Sequence, residues 1–364
     1  MKKTVLSLIV PFVMACAAHA ASPAAELRGL LRSVVADSCF VFGQHDATAY
    51  GRGWRYEPGR SDIHDVTGDN PGIMSWDIAG VELGSGDNID KVPHSFIRDQ
   101  IIKQHQRGGI STVSWHAWNP VTGGNSWDTV GRPVDRIFSD KALRRVMEAR
   151  IDSVARFISS LRDSSGRQIP VLFRPWFEMN GRWFWWGRGH RSDANYRKLW
   201  KLTYDRFRKA GLKDAVLWCY APNIVWADNE LADTYPGDRM VDVIGVDVYQ
   251  SGDDVAGYRK ALDHSLRRIS RFAAAHGKLV ALAETGSEGL PNSGWWDTVV
   301  LPVVRRYPVA WVVAWRNSAP DNAPFFVPYK GHPQEESFRN FYRSPAALFL
   351  NDLRRRIPAV SESR

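Results

Sequence analysis

Cysteine is scarce in this chain. Three residues in 364, Cys16, Cys39 and Cys219, are too few for a disulfide framework. Cys39 and Cys219 lie in apolar, strand-like runs, where a buried free thiol is the expected state. No two histidines stand at metal-ligand spacing, so neither a metal nor any other cofactor is expected. A glycine-rich phosphate loop is also missing. After the first apolar run the chain reads Gly43-Gln44-His45-Asp46-Ala47-Thr48, which argues against an open, doubly wound nucleotide-binding sheet. Beyond the N-terminus no uninterrupted apolar run is long enough to span a bilayer. No repeat, low-complexity linker or shift in composition divides the chain. With 44% hydrophobic and 24% charged residues it reads as an ordinary globular protein of one domain, without disorder.

What is present begins with a leader. Met1-Lys2-Lys3, an apolar stretch from Val5 to Ala18, and Ala18-His19-Ala20 before Ala21-Ser22-Pro23 have the layout of a secretory signal peptide. Cleavage after Ala20 leaves residues 21–364 as one exported domain, periplasmic or secreted. Lipidation at Cys16 is the alternative, and Met14 two positions earlier fits a lipobox poorly. The net charge of +9 comes from Lys and Arg scattered along helix-like stretches. That distribution describes solvated helix faces rather than a nucleic-acid patch. A monomer is expected.

The body of the chain alternates apolar runs with longer amphipathic stretches. Candidate strands are Cys39 to Gln44, Gly72 to Asp77, Ile110 to Trp115, Ile169 to Phe173, Ala215 to Tyr220, Val241 to Asp247, Leu279 to Ala283 and Val309 to Trp315. Candidate helices are Pro93 to Arg107, Asp140 to Arg162, Ser192 to Ala210, Val255 to His276, Trp295 to Tyr307 and Pro345 to Arg356. Parallel strands buried on both faces read as continuous apolar runs. Eight of them interleaved with helices predict a single (β/α)8 barrel of the TIM type.

Active groups of that fold gather at the C-terminal ends of the strands. Glu178 follows strand four inside the run Arg174-Pro175-Trp176-Phe177-Glu178-Met179-Asn180-Gly181-Arg182-Trp183-Phe184-Trp185-Trp186-Gly187. Glu284 ends strand seven, before Thr285-Gly286, which reads as the start of a loop. Two carboxylates at one mouth suit glycosidic bond cleavage, where one gives a proton and the other attacks or activates water. His45 and Asp46, His116, Asn223, Trp226, Tyr249, Trp315 and Arg316 end other strands and are expected to converge there. Trp218 and Trp311, within strands, read as core. Trp176, Trp183, Trp185, Trp186 and Trp315 lie at or beyond strand ends and are expected to offer indole faces to the flat C–H faces of sugar rings.

The aromatic run, the Trp115-His116 pair, Tyr235-Pro236-Gly237-Asp238 leading through Val241 to Tyr249, the segment around Glu284, and Trp315-Arg316-Asn317 together resemble glycoside hydrolase family 26, the family of endo-β-1,4-mannanases. The motifs span most of the mature chain in the family's order. The resemblance implies a retaining enzyme on mannan, glucomannan or galactomannan. In it Glu178 matches the acid/base position and Glu284 the nucleophile. His116, Tyr249 and Trp315 match positions lining the subsite of the attacked sugar, Trp183 belongs to the substrate-binding set, and Arg316 reaches toward the next sugar. Arg174 matches an arginine near the carboxylates. One position departs: the family commonly has histidine before the acid/base glutamate, and Phe177 stands here. Its burial is expected to raise the Glu178 pKa by desolvation. Two alternatives are the same barrel acting on mixed-linkage β-glucan or β-1,3-xylan, and a non-catalytic carbohydrate-binding protein. Thr48 to Asn70 and Val121 to Asp140 are expected to wall the cleft.

Overall fold

The computed structural model describes residues 21–319 and 324–356. The leader, its cleavage point and Cys16 lie outside the described residues. Eight parallel strands form a closed barrel: β1 (Phe40–His45), β2 (Ile73–Asp77), β3 (Ile110–Trp115), β4 (Val171–Pro175), β5 (Val216–Tyr220), β6 (Val243–Gln250), β7 (Leu279–Ser287) and β8 (Val309–Ala314). Each pairs with the next, and β8 returns to β1 in register from Val41 opposite Trp311 to Gln44 opposite Ala314. Every residue of β1, β2, β3, β4, β5, β7 and β8 is buried, as a barrel clad in helices requires. The expected (β/α)8 architecture is therefore the observed one.

The helices follow the apolar spacing closely. His94–Gln106, Lys141–Ser159, Asp193–Lys209 and Val255–His276 each bury one face. Three of them open on a side-chain cap, from Asp140, Ser192 and Asp254. The helix expected from Trp295 to Tyr307 is a π-turn, Trp295–Val300, running into one α-turn, Leu301–Val304. Pro302 supplies no N–H, so the ordinary i→i−4 ladder cannot pass through that point. The helix expected from Pro345 starts only at Leu350, because Ala347–Leu348 adds instead to the start of β1.

Five α-helices among the described residues have no counterpart in the expected set, the shortest being the single turn Asn229–Ala232. Pro23–Ala36 is capped by Ser22 and lies under the barrel floor, where the Ala24 N–H donates to the Asp214 carbonyl (2.9 Å) and Arg28 pairs with Asp242 (2.6 Å). Glu335–Arg343 buries Phe338 and Phe341 against Phe42. Asp62–Thr67 and Pro133–Ser139 lie inside the stretches expected to be loop walls, and the first of those stretches also carries a hairpin, Tyr50–Gly51 with Trp54–Arg55. No helix among the described residues is long and apolar enough to cross a membrane. Cys219 is buried and free, as expected. Cys39 is also free but half-buried rather than buried, since it precedes β1 instead of lying within it.

Candidate active site

Strand β7 does not stop at Glu284. It continues to Ser287, with Thr285, Gly286 and Ser287 opposite Val248, Tyr249 and Gln250. A register shift opposite Val246/Asp247 skips Ala283, so Glu284 pairs with Asp247. Such a bulge re-aims a side chain, here bringing a glutamate to the mouth of an otherwise apolar strand. Gly286 is not a loop glycine. A Cβ there would collide with the Phe326 ring, which also packs edge-on against Tyr249 at 6.0 Å.

Both oxygens of each glutamate have a partner. Glu284 Oε2 accepts from the Tyr249 hydroxyl (2.8 Å) and Oε1 from Arg174 Nη2. Arg174 also donates through Nη1 to Asp247 (2.6 Å), and its guanidinium lies 4.1 Å over the Phe177 ring. Its burial works against its charge, but the Asp247 and Glu284 carboxylates outweigh that and hold it firmly protonated. Glu178, 9% exposed, accepts from Asn223 Nδ2 at Oε1 (2.8 Å) and Trp183 Nε1 at Oε2 (2.7 Å). Burial, then the Glu284 charge, raises its pKa; the Asn223 and Trp183 donors and Arg174 oppose the rise. The two carboxyl groups therefore differ in surroundings, Glu178 between two neutral donors and Glu284 between a guanidinium and a hydroxyl.

Glu178 stands three residues past β4 on backbone that reverses sharply. Trp176 and Glu178 both have φ of 52°, and the Glu178 N–H donates to the Ala221 carbonyl (2.7 Å). This conformation is costly for non-glycine residues and survives where surroundings over-determine it. The surroundings here are indoles. Trp176, Trp185 and Trp186 are fully buried, contrary to the expectation that they face sugar. Their ring N–H groups donate inward, to Thr203 (3.0 Å), the Ala117 carbonyl (2.8 Å) and the Phe177 carbonyl (2.7 Å). They form the floor that fixes Glu178. Of the indoles in that run only Trp183 is exposed, at 40%, and Trp315 is half-buried, stacked on His45 at 4.3 Å.

His116 is packed between Trp127 (stacked, 5.1 Å) and the edges of Phe177 and Phe184. Asp77, at the end of β2, orients it, with Oδ2 at 2.8 Å from Nδ1 and also accepting the His116 N–H (3.0 Å). Burial alone would lower the His116 pKa, but Asp77, and more weakly Glu284, raise it overall. Asp77→Asn removes that charge. The His116 titration followed by NMR is then expected to move down by about 1–3 pH units, and an unchanged titration would mean Asp77 does not hold the ring.

Among the loops after β2, β3 and β8 opens a cavity of about 700 Å³, lined by Leu83, Asp90, His116, Trp127, Trp315 and Arg316 among others but by neither glutamate. Its volume suits a small ligand or part of a chain. Arg316 pairs with Asp90 (2.7 Å) and donates to Ser318 (2.6 Å). Among the described residues, His45, Asp46 and Asp90 bring three ligand atoms within 4.8 Å of one another. The Arg316 guanidinium already neutralises Asp90 at that point, which disfavours a metal ion there. His45 Nε2 and Asp46 Oδ1 lie fully buried 3.7 Å apart, and neither they nor the second Asp90 oxygen has a hydrogen-bond partner in the protein. Asp77, Asp90 and Asp247 were not singled out from the sequence. For Asp247 a signal existed, a carboxylate inside the apolar run Val243 to Val248.

A (β/α)8 barrel whose mouth holds two buried, hydrogen-bonded glutamates beside an aromatic cavity is built as a glycoside hydrolase. The chain belongs to glycosyl hydrolase family 26, whose profile matches residues 24–297. A solved GH26 β-mannanase from Bacteroides ovatus is 40% identical and superposes with a TM-score of 0.87 over 91% of this chain and 95% of that one. A modular endo-β-1,4-mannanase from Cellulomonas fimi is 30% identical, with a TM-score of 0.79 over 91% and 78%. A mannan endo-1,4-beta-mannosidase of Bifidobacterium adolescentis is 29% identical over 333 residues, 85% of this chain, and the chain spans 33% of that protein's length.

Proposed function

We propose that the protein is a retaining β-mannanase that hydrolyses β-1,4-mannosidic bonds in mannan, glucomannan or galactomannan. The observation that carries the reading is the contrast between the two glutamates. Glu178 is buried beside a like charge and biased toward its acid form, while Glu284 has one oxygen held by the Arg174 guanidinium and the other by the Tyr249 hydroxyl. Names of relatives at 40% and 30% identity support the substrate.

In this mechanism Glu178 donates its proton to the leaving glycosidic oxygen while a Glu284 oxygen attacks the anomeric carbon. The C–O bond to the leaving group breaks, and a mannosyl ester of Glu284 forms. Esterification removes the negative charge that helped raise the Glu178 pKa. Glu178 then ionises more readily and takes a proton from the water that hydrolyses the ester. His116, Tyr249 and Trp315 line the place of the attacked sugar, Arg316 reaches to the next one in the cavity, and Trp183 receives the leaving sugar. Residues 1–20 act as the export signal in this reading, and the enzyme works outside the cytoplasm as a monomer.

The protonated form of Glu178 starts the reaction, so its ionisation sets the alkaline limb of kcat/KM. Trp183 donates to the carboxylate and so lowers that pKa. Trp183→Phe is expected to lose activity and also to move the alkaline limb to higher pH. A limb that stays or moves down would detach it from Glu178.

Substrate class is tested by incubating residues 21–364 with galactomannan, glucomannan, mixed-linkage β-glucan and β-1,3-xylan, and following reducing ends and product sizes. Manno-oligosaccharides from the first two are expected. Activity only on the other polymers, or none, would overturn the reading.

A further inference from the structure

Three indoles are substantially exposed among the described residues, Trp127, Trp183 and Trp226. Trp127 lies on His116 and lines the cavity, and Trp183 donates to Glu178. Trp226, 47% exposed on the loop after β5, has no part in the chemistry described so far. Leaving an indole in water forfeits the burial that most aromatic residues obtain, and this one is held in place. The Trp226 backbone N–H donates to Glu230 Oε2 (2.6 Å), its backbone carbonyl lies 3.2 Å from His264 Nε2, and the indole ring itself leans on His264 at 5.3 Å. The preceding Val225 N–H donates to Ser265 (3.1 Å).

The same loop is tied to the reacting groups. Asn223, three residues earlier, donates to Glu178 Oε1. Asn180, two residues after Glu178, donates to the carbonyls of Asn223 and Ile224 (3.1 Å each) and accepts the Asn223 N–H (2.8 Å). Arg188, in the loop that carries Trp183, lies 3.5 Å from Glu230. The Trp226 Cα can therefore be no more than about 10 Å from that of Asn223, and both loops are pinned together beside the acid.

The direction of the cleft follows. The cavity lies among the loops after β2, β3 and β8, whereas Trp183, Asn223 and Trp226 stand on the loops after β4 and β5, across the mouth. A chain occupying the cavity and crossing the glutamates leaves on the side of the acid, over Trp183 and then toward Trp226. The groups around Trp226, namely Glu230, His264 and the Arg268–Asp228 ion pair, are polar and suited to hydroxyls. A single indole in a polar rim is a poor surface for a protein partner and a good one for the apolar face of a pyranose.

We propose that Trp226 is a stacking platform for a mannose unit of the leaving group, beyond the unit received by Trp183. This rests on the β-mannanase reading. The enzyme then binds its leaving group as an oligosaccharide, and selects substrates with at least two sugars on that side of the cleavage point.

The test compares mannohexaose with an aryl β-mannobioside, whose leaving group is too short to reach Trp226, in the wild type, Trp226→Ala and Trp226→Phe. The ratio of kcat/KM for mannohexaose over the aryl mannobioside is expected to fall about five- to tenfold in Trp226→Ala. The bonds cut in mannohexaose should shift, and Trp226→Phe should restore part of the ratio. A general effect on folding would lower both substrates together and leave the ratio alone. An unchanged ratio and unchanged cleavage pattern overturn the platform while the aryl mannobioside is still hydrolysed. Failure of the wild type on both substrates overturns the β-mannanase reading itself.

Discussion

Glu284→Gln is expected to lower kcat on galactomannan by about 10⁴-fold or more, the scale on which removal of a covalent nucleophile acts. Glutamine keeps the shape, and its carbonyl oxygen can still accept from Arg174 while its NH2 donates to the Tyr249 hydroxyl oxygen, so the fold should survive, as judged by circular dichroism and an unchanged chromatographic volume. The variant also isolates the electrostatics. With the neighbouring charge gone, Glu178 loses the second largest cause of its raised pKa. Its titration, followed by carbon NMR, should therefore move down, with burial still acting. Near-normal turnover would end the assignment of Glu284, and an upward titration would end the coupling.

Glu178→Gln should differ in kind as well as in size. General acid help contributes about 10²–10⁴ in rate, and its share depends on how much the leaving oxygen needs a proton. On mannan, where an alkoxide would leave, the loss should approach the top of that range. On a dinitrophenyl β-mannobioside the leaving group departs without help, so the first step should survive and slow hydrolysis of the Glu284 ester should limit turnover. A burst of dinitrophenol followed by a slow phase is the expected trace. Equal losses on both substrates, without a burst, would remove Glu178 from the acid/base role.

The two glutamates were legible because each follows an apolar run that can only be a barrel strand, and such runs end at a common mouth. What surrounds them was less so. Trp176, Trp185 and Trp186 carry the same sequence signal as Trp183, an indole in a run beyond β4, yet three point into the floor and one points out. Which side an indole takes depends on the φ reversals at Trp176 and Glu178, and these have no glycine to announce them. Gly286 misled in the opposite direction. It marks close packing against Phe326 inside a continuing strand, and the bulge that aims Glu284 sits where the sequence shows only Leu282-Ala283. Asp77 and Asp90 escaped because their partners, His116 and Arg316, are distant in sequence and meet only once the barrel closes. Phe177 was legible as a departure, but not its contact with the Arg174 guanidinium, whose charge is attracted to the ring face.

The most direct measurement is to trap the covalent intermediate. The protein is incubated with an activated 2-deoxy-2-fluoro-β-mannobioside, which slows both steps but speeds departure of the leaving group, and is then digested and mapped by mass spectrometry. The account predicts one adduct, on the peptide containing Glu284, with activity lost in proportion to labelling. An adduct on a peptide lacking Glu284, or no adduct together with α-configured first products from mannohexaose, would contradict it.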